Sequence, residues 1–200
     1  MKRGKWYAYF IPNDNKKGIT ESWDECNTII SGVPDARFKK FDNHKEAQEW
    51  IDQGADYGYK SPREPGVYFD SGTGRGRGVE ISVTDEKGES VLAKVLPKKE
   101  LNRFGAHWMF RGATNNYGEL YACFLAIRAA MASDIKRIFG DSTLVLEYWS
   151  KGIIKNADVN GETVALAKET AKLRKEFEKT GGTLEYIDGA QNPADLGFHR

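Results

Sequence analysis

Two hundred residues can hold one medium domain or two small ones, and an apolar content of 40% is enough for packed cores. No apolar run approaches the roughly 20 residues of a membrane span, and Met1-Lys2-Arg3 leads into a mixed strand rather than a secretory signal, so a soluble cytoplasmic protein is expected. A net charge of +1 does not announce a nucleic-acid binder, but net charge is a sum and binding depends on pattern.

Residues 1–54 carry nine basic and nine acidic side chains. Most of the acids sit in two helical patterns and the bases mostly on strands and turns, so a segregated basic face can form. The segment reads strand, helix, strand, helix. "KWYAYFI" is a strand, and Ser22 with Glu25 three residues on forms a capping box opening "WDECNTII". "ARFKKF" is a second strand, and Asn43 with Glu46 repeats the capping spacing before "KEAQEWI". From residue 55 to 65 turn residues without an apolar period read as a linker, giving domains at 1–54 and 66–200. Cys26 and Cys123 fall in different helical patterns with no metal spacing and read as buried free thiols.

The second segment opens with the strands "GVYFD", "VEISVTD" and "ESVLAKVLP", with a further strand around "AHWMFRG". Between the first two lies the run "SGTGRGRG". A phosphate-cradling loop would be closed by Lys-Ser/Thr or followed by a helix, whereas here an alternating strand follows, so the run reads as a hairpin turn beyond Asp70. "GELYACFLAIRAAMA" is apolar nearly all round, as a helix buried between layers would be. A short strand in "KRIFG" precedes Asp141-Ser142, which looks like the cap of a helix carrying Leu144, Val145, Tyr148 and Trp149 on one face. A long amphipathic helix from Gly161 stops at Gly181-Gly182, and "TLEYID" is a last strand. The sum is an α/β chain: a small α/β domain, then a mixed sheet covered by helices.

Four carboxylates stand at the ends of these elements: Asp70, Glu119, Asp141 and Asp195. Any one of them alone is more simply a cap or a solvated charge. Gathered together they would repel one another unless cations held them, and two Mg²⁺ ions, which prefer hard oxygen ligands, would balance four of them.

Residues 66–200 resemble the catalytic domain of type 1 ribonuclease H through "YFDSG", "TNNYGELYA", "GDSTLVLEYW" and "QNPADL", in that order. The resemblance implies a ribonuclease H-like fold with Asp70, Glu119, Asp141 and Asp195 as catalytic, metal-binding carboxylates. They would bind two Mg²⁺ ions, with Mn²⁺ as a possible substitute. It implies a DNA phosphate held by Thr114, and Asn115 and Asn116 at minor-groove base edges. The first segment, through "WYAYFI", "SWDEC" and "ARFKKF", resembles the hybrid-binding, viroplasmin-like domain found before many such enzymes. By that resemblance Tyr7, Trp23 and Phe38 would pack on the sugars of a DNA strand with Lys39 and Lys40 on its phosphates; aromatics and lysines interleaved on exposed strands suit that task. The expected partner is an RNA/DNA hybrid, with no membrane and no required protein partner. The expected reaction cuts the RNA strand to 5′-phosphate and 3′-hydroxyl ends.

Three features depart from the family's pattern. The loop before Asp195, "DGAQNPAD", lacks the histidine many members carry, leaving His199 as the candidate for product release. No basic, Trp-rich insertion follows "SKGIIKNADVNGE", and Gly112 stands where an arginine usually precedes "TNN", with Arg111 beside it. Arg75 and Arg77 in the glycine run either meet phosphate or are simply exposed. The rival readings are a catalytically silent hybrid-binding protein and a nuclease of the same fold acting on DNA.

Overall fold

The computed structural model describes residues 5–58, 63–73, 78–109, 112–155 and 159–196. The chain divides into two compact units, Met1–Pro62 and Arg63–Arg200. In the first, strands β1 (Trp6–Ile11), β2 (Lys16–Thr20) and β3 (Arg37–Phe41) form an antiparallel sheet in the order β2-β1-β3. Between them run helices α1 (Trp23–Ile30) and, after β3, α2 (His44–Asp52). Ser22 and Asn43 cap these helices as expected, each side chain accepting from the backbone N–H three residues on. The box at Ser22 is only half made, because the Glu25 carboxylate accepts from the Thr20 hydroxyl instead of reaching back to the cap. Strand β2 is a correction to the sequence reading, which had no strand there: five residues with Gly18 at the centre carry too little apolar alternation to register. Ala8, Phe41, Ala47, Trp50 and Ile51 form this unit's core.

The second unit is built on five strands in the order β6-β5-β4-β7-β8. They are β4 (Val67–Gly72), β5 (Glu80–Thr84), β6 (His107–Trp108), β7 (Arg137–Gly140) and β8 (Thr183–Tyr186). β4 lies at the centre, antiparallel to β5 and parallel to β7, so both its faces are buried. The β4–β5 pairing agrees with a hairpin at the glycine run, of which residues 74–77 lie outside the described residues. Helix α3 (Asn115–Ala132) packs on β4 and on helix α5 (Gly161–Lys179), with the short helix α4 (Thr143–Glu147) nearby. Leu120, Leu125 and Ile127 of α3 are fully buried with Val67, Phe69 and Ile81, each contributing about 1.5–3 kcal/mol by burial.

Two further expectations are corrected here. "ESVLAKVLP" is not a strand: Ser90 makes one bridge to Thr84, and the chain then turns in a 3-10 helix at Leu92–Lys94 that drops Leu92 into the core. Burial of Val91 and Leu92 decides this over strand propensity. Nor do Leu144, Val145, Tyr148 and Trp149 share one face. α4 ends at Glu147 and a 3-10 turn follows, so Val145 and Trp149 are buried while Leu144 and Tyr148 are exposed.

Alternation along β4 sets the site. Val67, Phe69 and Ser71 face α3, while Tyr68 faces a second small core with Phe139 and Ala194, so Asp70 leaves the strand on that opposite face. Gly118 lets α3 approach: a Cβ there would lie 2.3 Å from Val79 Cγ1 and 3.0 Å from Ser71 Oγ. Gly118→Ala is therefore expected to destabilise the protein by about 1–3 kcal/mol through overpacking, measured as a lower urea midpoint with unchanged slope. An unchanged midpoint would mean that the α3–β4 contact has slack which the structure does not show.

Candidate active site and nucleic-acid interface

Three carboxylates arrive at one point from three elements. Asp70 comes from within central β4, two residues before its end, Glu119 from the first turns of α3 and Asp141 from the residue after β7, and one oxygen of each lies within 4.8 Å of the others. Asp70 and Glu119 are buried and Asp141 is half-buried. Parallel pairing of β4 with β7 brings Asp70 and Asp141 to the same end of the sheet, and helix periodicity in α3 turns Glu119 toward them.

The neighbours hold these groups in place. Ser71 donates to Glu119 Oε1 twice, from its backbone N–H at 3.2 Å and its hydroxyl at 3.1 Å. The same hydroxyl lies 3.1 Å from the Asn115 carbonyl and 3.2 Å from Asn115 Oδ1, which stitches the start of α3 to β4. Asn192 donates from Nδ2 to the Phe69 carbonyl at 3.0 Å and to Asp141 Oδ2 at 3.5 Å, and its Oδ1 accepts from the Ala194 N–H at 3.0 Å. The Leu196 N–H donates to Asp70 Oδ2 at 3.4 Å. The 188–196 loop thus folds back over the carboxylates.

Ser71 and Asn192 were not among the residues singled out from sequence. Asn192 carried one signal, its place three residues before Asp195 in "NPAD", where an Asn side chain commonly turns the local backbone. Ser71 carried none, because its role depends on α3 lying across it.

Charge crowding shows in the protonation of the site. Burial, then the Asp141 charge, raises Asp70 to about 7, against the lowering effects of Ser71, Glu119 and the Leu196 N–H. Burial, then Asp70 and Asp141, raises Glu119 to about 9. Asp141 is also raised, first by burial and then by Asp195 and Asp188, with the Asn192 bond opposing. Asp195 is exposed and stands outside the set of three, close enough for its charge to act on Asp141.

Thr114, Asn115 and Asn116 open α3. Thr114 is the N-cap, its hydroxyl oxygen accepting from the Tyr117 N–H at 3.2 Å, and Asn115 is tied to Ser71. Thr114 and Asn116 line a cavity of about 590 Å³ together with Tyr148, Trp149, Ile153, Lys155 and Asn160. His199, Arg75, Arg77 and Arg111 lie outside the described residues.

In the first unit the rings of Tyr7, Trp23 and Phe38 form a row, 5.5 Å from Tyr7 to Trp23 and 5.7 Å from Trp23 to Phe38. Trp23 is 40% and Phe38 42% exposed, unusual for large apolar groups that already touch one another. Residues 5–51 match the family model described as "Ribonuclease H1 N-terminal domain". That match spans most of the first unit, which is therefore similar to such a domain. Within this unit Tyr7 lies opposite Lys40 in the β1–β3 register, so Lys40 shares the face of the aromatic row. Lys39 projects from the other face, its Nζ 5.4 Å from the centre of the Phe41 ring. The two adjacent lysines therefore cannot act alike.

No curated protein matches the chain. Among solved structures, RNase H1 from the halophilic archaeon Halobacterium salinarum NRC-1 aligns with a TM-score of 0.40 and 19% identity, covering 65% of this chain and 89% of that one.

The raised carboxyls fix a pH dependence. Asp70 and Glu119 keep their protons in the folded chain to about 7 and about 9, against 3.8 and 4.5 ordinarily, so the native state binds more protons than the unfolded one between those values. Their contribution to stability is complete below about pH 4 and is lost as pH rises toward 9. Chelator-treated protein is expected to melt at progressively lower temperature across that window, and Glu119→Gln should flatten the decline. A melting temperature that rises from pH 5 to pH 9 in chelator would contradict the shifts.

Proposed function

We propose that this chain is a metal-dependent endoribonuclease that hydrolyses the RNA strand of RNA/DNA hybrids, leaving 5′-phosphate and 3′-hydroxyl ends. The observation that carries the proposal is the convergence of Asp70, Glu119 and Asp141 within 4.8 Å of one another, from the three places where the sequence resemblance located them. The similarity of the first unit to a ribonuclease H1 N-terminal domain supports the substrate class. The central strand flanked by one antiparallel and one parallel neighbour, with α3 across it, fits a ribonuclease H-like catalytic domain.

The residues present fit a pair of divalent cations. All the donors are hard carboxylate oxygens, and among the described residues Glu119 Oε2 is one of three buried side-chain oxygens without a hydrogen-bond partner. Asp70, Glu119 and Asp141, with Asp195 at the rim, would hold two Mg²⁺ or Mn²⁺ ions. Bound there, such ions supply activation of a water for in-line attack on the phosphorus and stabilisation of the leaving 3′-oxygen.

The chain's own residues do the rest. Ser71 fixes one oxygen of Glu119 and leaves the other for a ligand, so the helix and strand must be docked before the site exists. Asn192 ties Asp141 to the backbone of β4, holding two of the three carboxylates at one spacing. Thr114 and Asn116, beside the cavity with Tyr148, Trp149 and Lys155, offer hydroxyl, amide, ring and ammonium groups to a DNA backbone. In the first unit the Tyr7–Trp23–Phe38 row packs on sugars, with Lys40 beside it for phosphate. Such contacts read sugar type and backbone shape, and carry little base sequence.

The test is an end-labelled RNA offered alone, in RNA/RNA and in RNA/DNA, each with Mg²⁺ or EDTA. Cutting is expected in the hybrid with Mg²⁺ only, and Asp70→Asn should reduce it to background. Hybrid bound but uncut would favour a catalytically silent hybrid-binding protein; cutting of duplex DNA would favour a DNA nuclease. Trp23→Ala is expected to raise KM about fivefold or more, the value of one lost stacking contact, with a smaller change in kcat. An unchanged KM would remove the aromatic row from the substrate interface.

A further inference from the structure

Within the first unit, the chain beyond α2 does not leave the sheet. Gly54 and Ala55 both take positive φ, +79° and +55°, and turn the backbone back toward β3. Ala55 is fully buried in the core, the Arg37 guanidinium donates to the Gly54 and Ala55 carbonyls, and Trp50 donates from Nε1 to the Asp56 carbonyl at 2.8 Å. This hook delivers Tyr57, whose ring lies 5.7 Å from that of Trp50.

The Tyr57 hydroxyl then meets both backbone groups of one residue. It accepts from the Phe38 N–H at 3.0 Å and donates to the Phe38 carbonyl at 3.2 Å. β3 is an edge of the sheet, paired on one side only with β1. An unpaired edge residue normally leaves its N–H and C=O to water and its backbone free to shift. Here a single phenol closes the outer side of the residue whose ring ends the Tyr7–Trp23–Phe38 row.

We propose that Tyr57 is a positioning residue for nucleic-acid binding: it locks the backbone of Phe38 so that the Phe38 ring is presented in register with Trp23. This rests on the reading of that row as a hybrid-binding face. It extends the functional module past residue 51, where the family match ends, to residue 58. Tyr57 itself need not touch the ligand. With its hydroxyl spent on the backbone of Phe38, its effect passes through the strand.

The experiment uses the full chain with Ca²⁺ in place of Mg²⁺ and a fluorescent RNA/DNA hybrid titrated at several salt concentrations. Wild type, Trp23→Ala and Tyr57→Phe are compared, and amide exchange at Phe38 is followed by NMR. Tyr57→Phe keeps the ring on Trp50 and removes only the oxygen. Expected are faster exchange at Phe38 and Kd raised about three- to tenfold, the range of one lost hydrogen bond. The slope of log Kd against log salt should not change, because no phosphate contact is lost. In turnover with Mg²⁺ the change should fall on KM rather than kcat. If Trp23→Ala weakens binding and Tyr57→Phe leaves Kd unchanged, the positioning role is overturned and the hybrid-binding face stands. If Trp23→Ala has no effect, the face itself is overturned and this role with it. Loss of all native amide protection in the first unit of Tyr57→Phe would make Tyr57 a folding residue, which also overturns the proposal.

Discussion

Everything in the second unit answers to the cost of burying like charges together. Two unit charges about 4 Å apart repel by about 4 kcal/mol at an effective dielectric near 20, and removal from water adds to that. Asp70 and Glu119 are buried beside each other and beside Asp141. A chain free to relax would separate them. They stay together because each is anchored by an element that cannot move alone: the central strand of the sheet, a helix packed on that strand, and the neighbouring parallel strand. The site is thus strained electrostatically by design of its scaffold, and protons or metal cations are the two ways of relieving it.

That constraint explains the small residues around the carboxylates. Gly118 exists where a helix must approach a strand closely enough for the next residue, Glu119, to reach the strand's end. Ser71 and Asn192 supply hydrogen bonds that favour the charged forms, opposing burial without cancelling it. The first unit solves a different problem. Its exposed aromatic row costs little, since partly solvated rings that touch one another lose less than isolated ones. One chain therefore carries a strained, buried polar centre and a relaxed, exposed apolar face, each with its own core.

Much of this was legible in the residues. The caps at Ser22 and Asn43, the strand after the glycine run and the all-round apolar α3 each follow from local chemistry and each formed, although the box at Ser22 is only half made. Where the reading failed, tertiary contacts outweighed local pattern. β2 has almost no pattern of its own and forms because β1 offers it an edge. Leu92 abandons a strand for a 3-10 turn because a core position was open to it. Trp149 is buried and Tyr148 exposed because α4 stops at Glu147 and a 3-10 turn takes over at Trp149.

By itself the sequence determined which side chains are candidates for the chemistry, because clustered carboxylates, caps and aromatics are marked by residue type and by spacing along one element. Only the tertiary structure decided which of them meet. It gathered Asp70, Glu119 and Asp141 and left Asp195 at the rim; it set Lys40 beside the aromatic row and Lys39 behind it. It also recruited Ser71, Asn192 and Tyr57, whose roles are hydrogen bonds to partners 19 to 123 residues away. No local signal encodes such a bond, since its energy exists only after the backbone of both partners has been fixed by packing elsewhere.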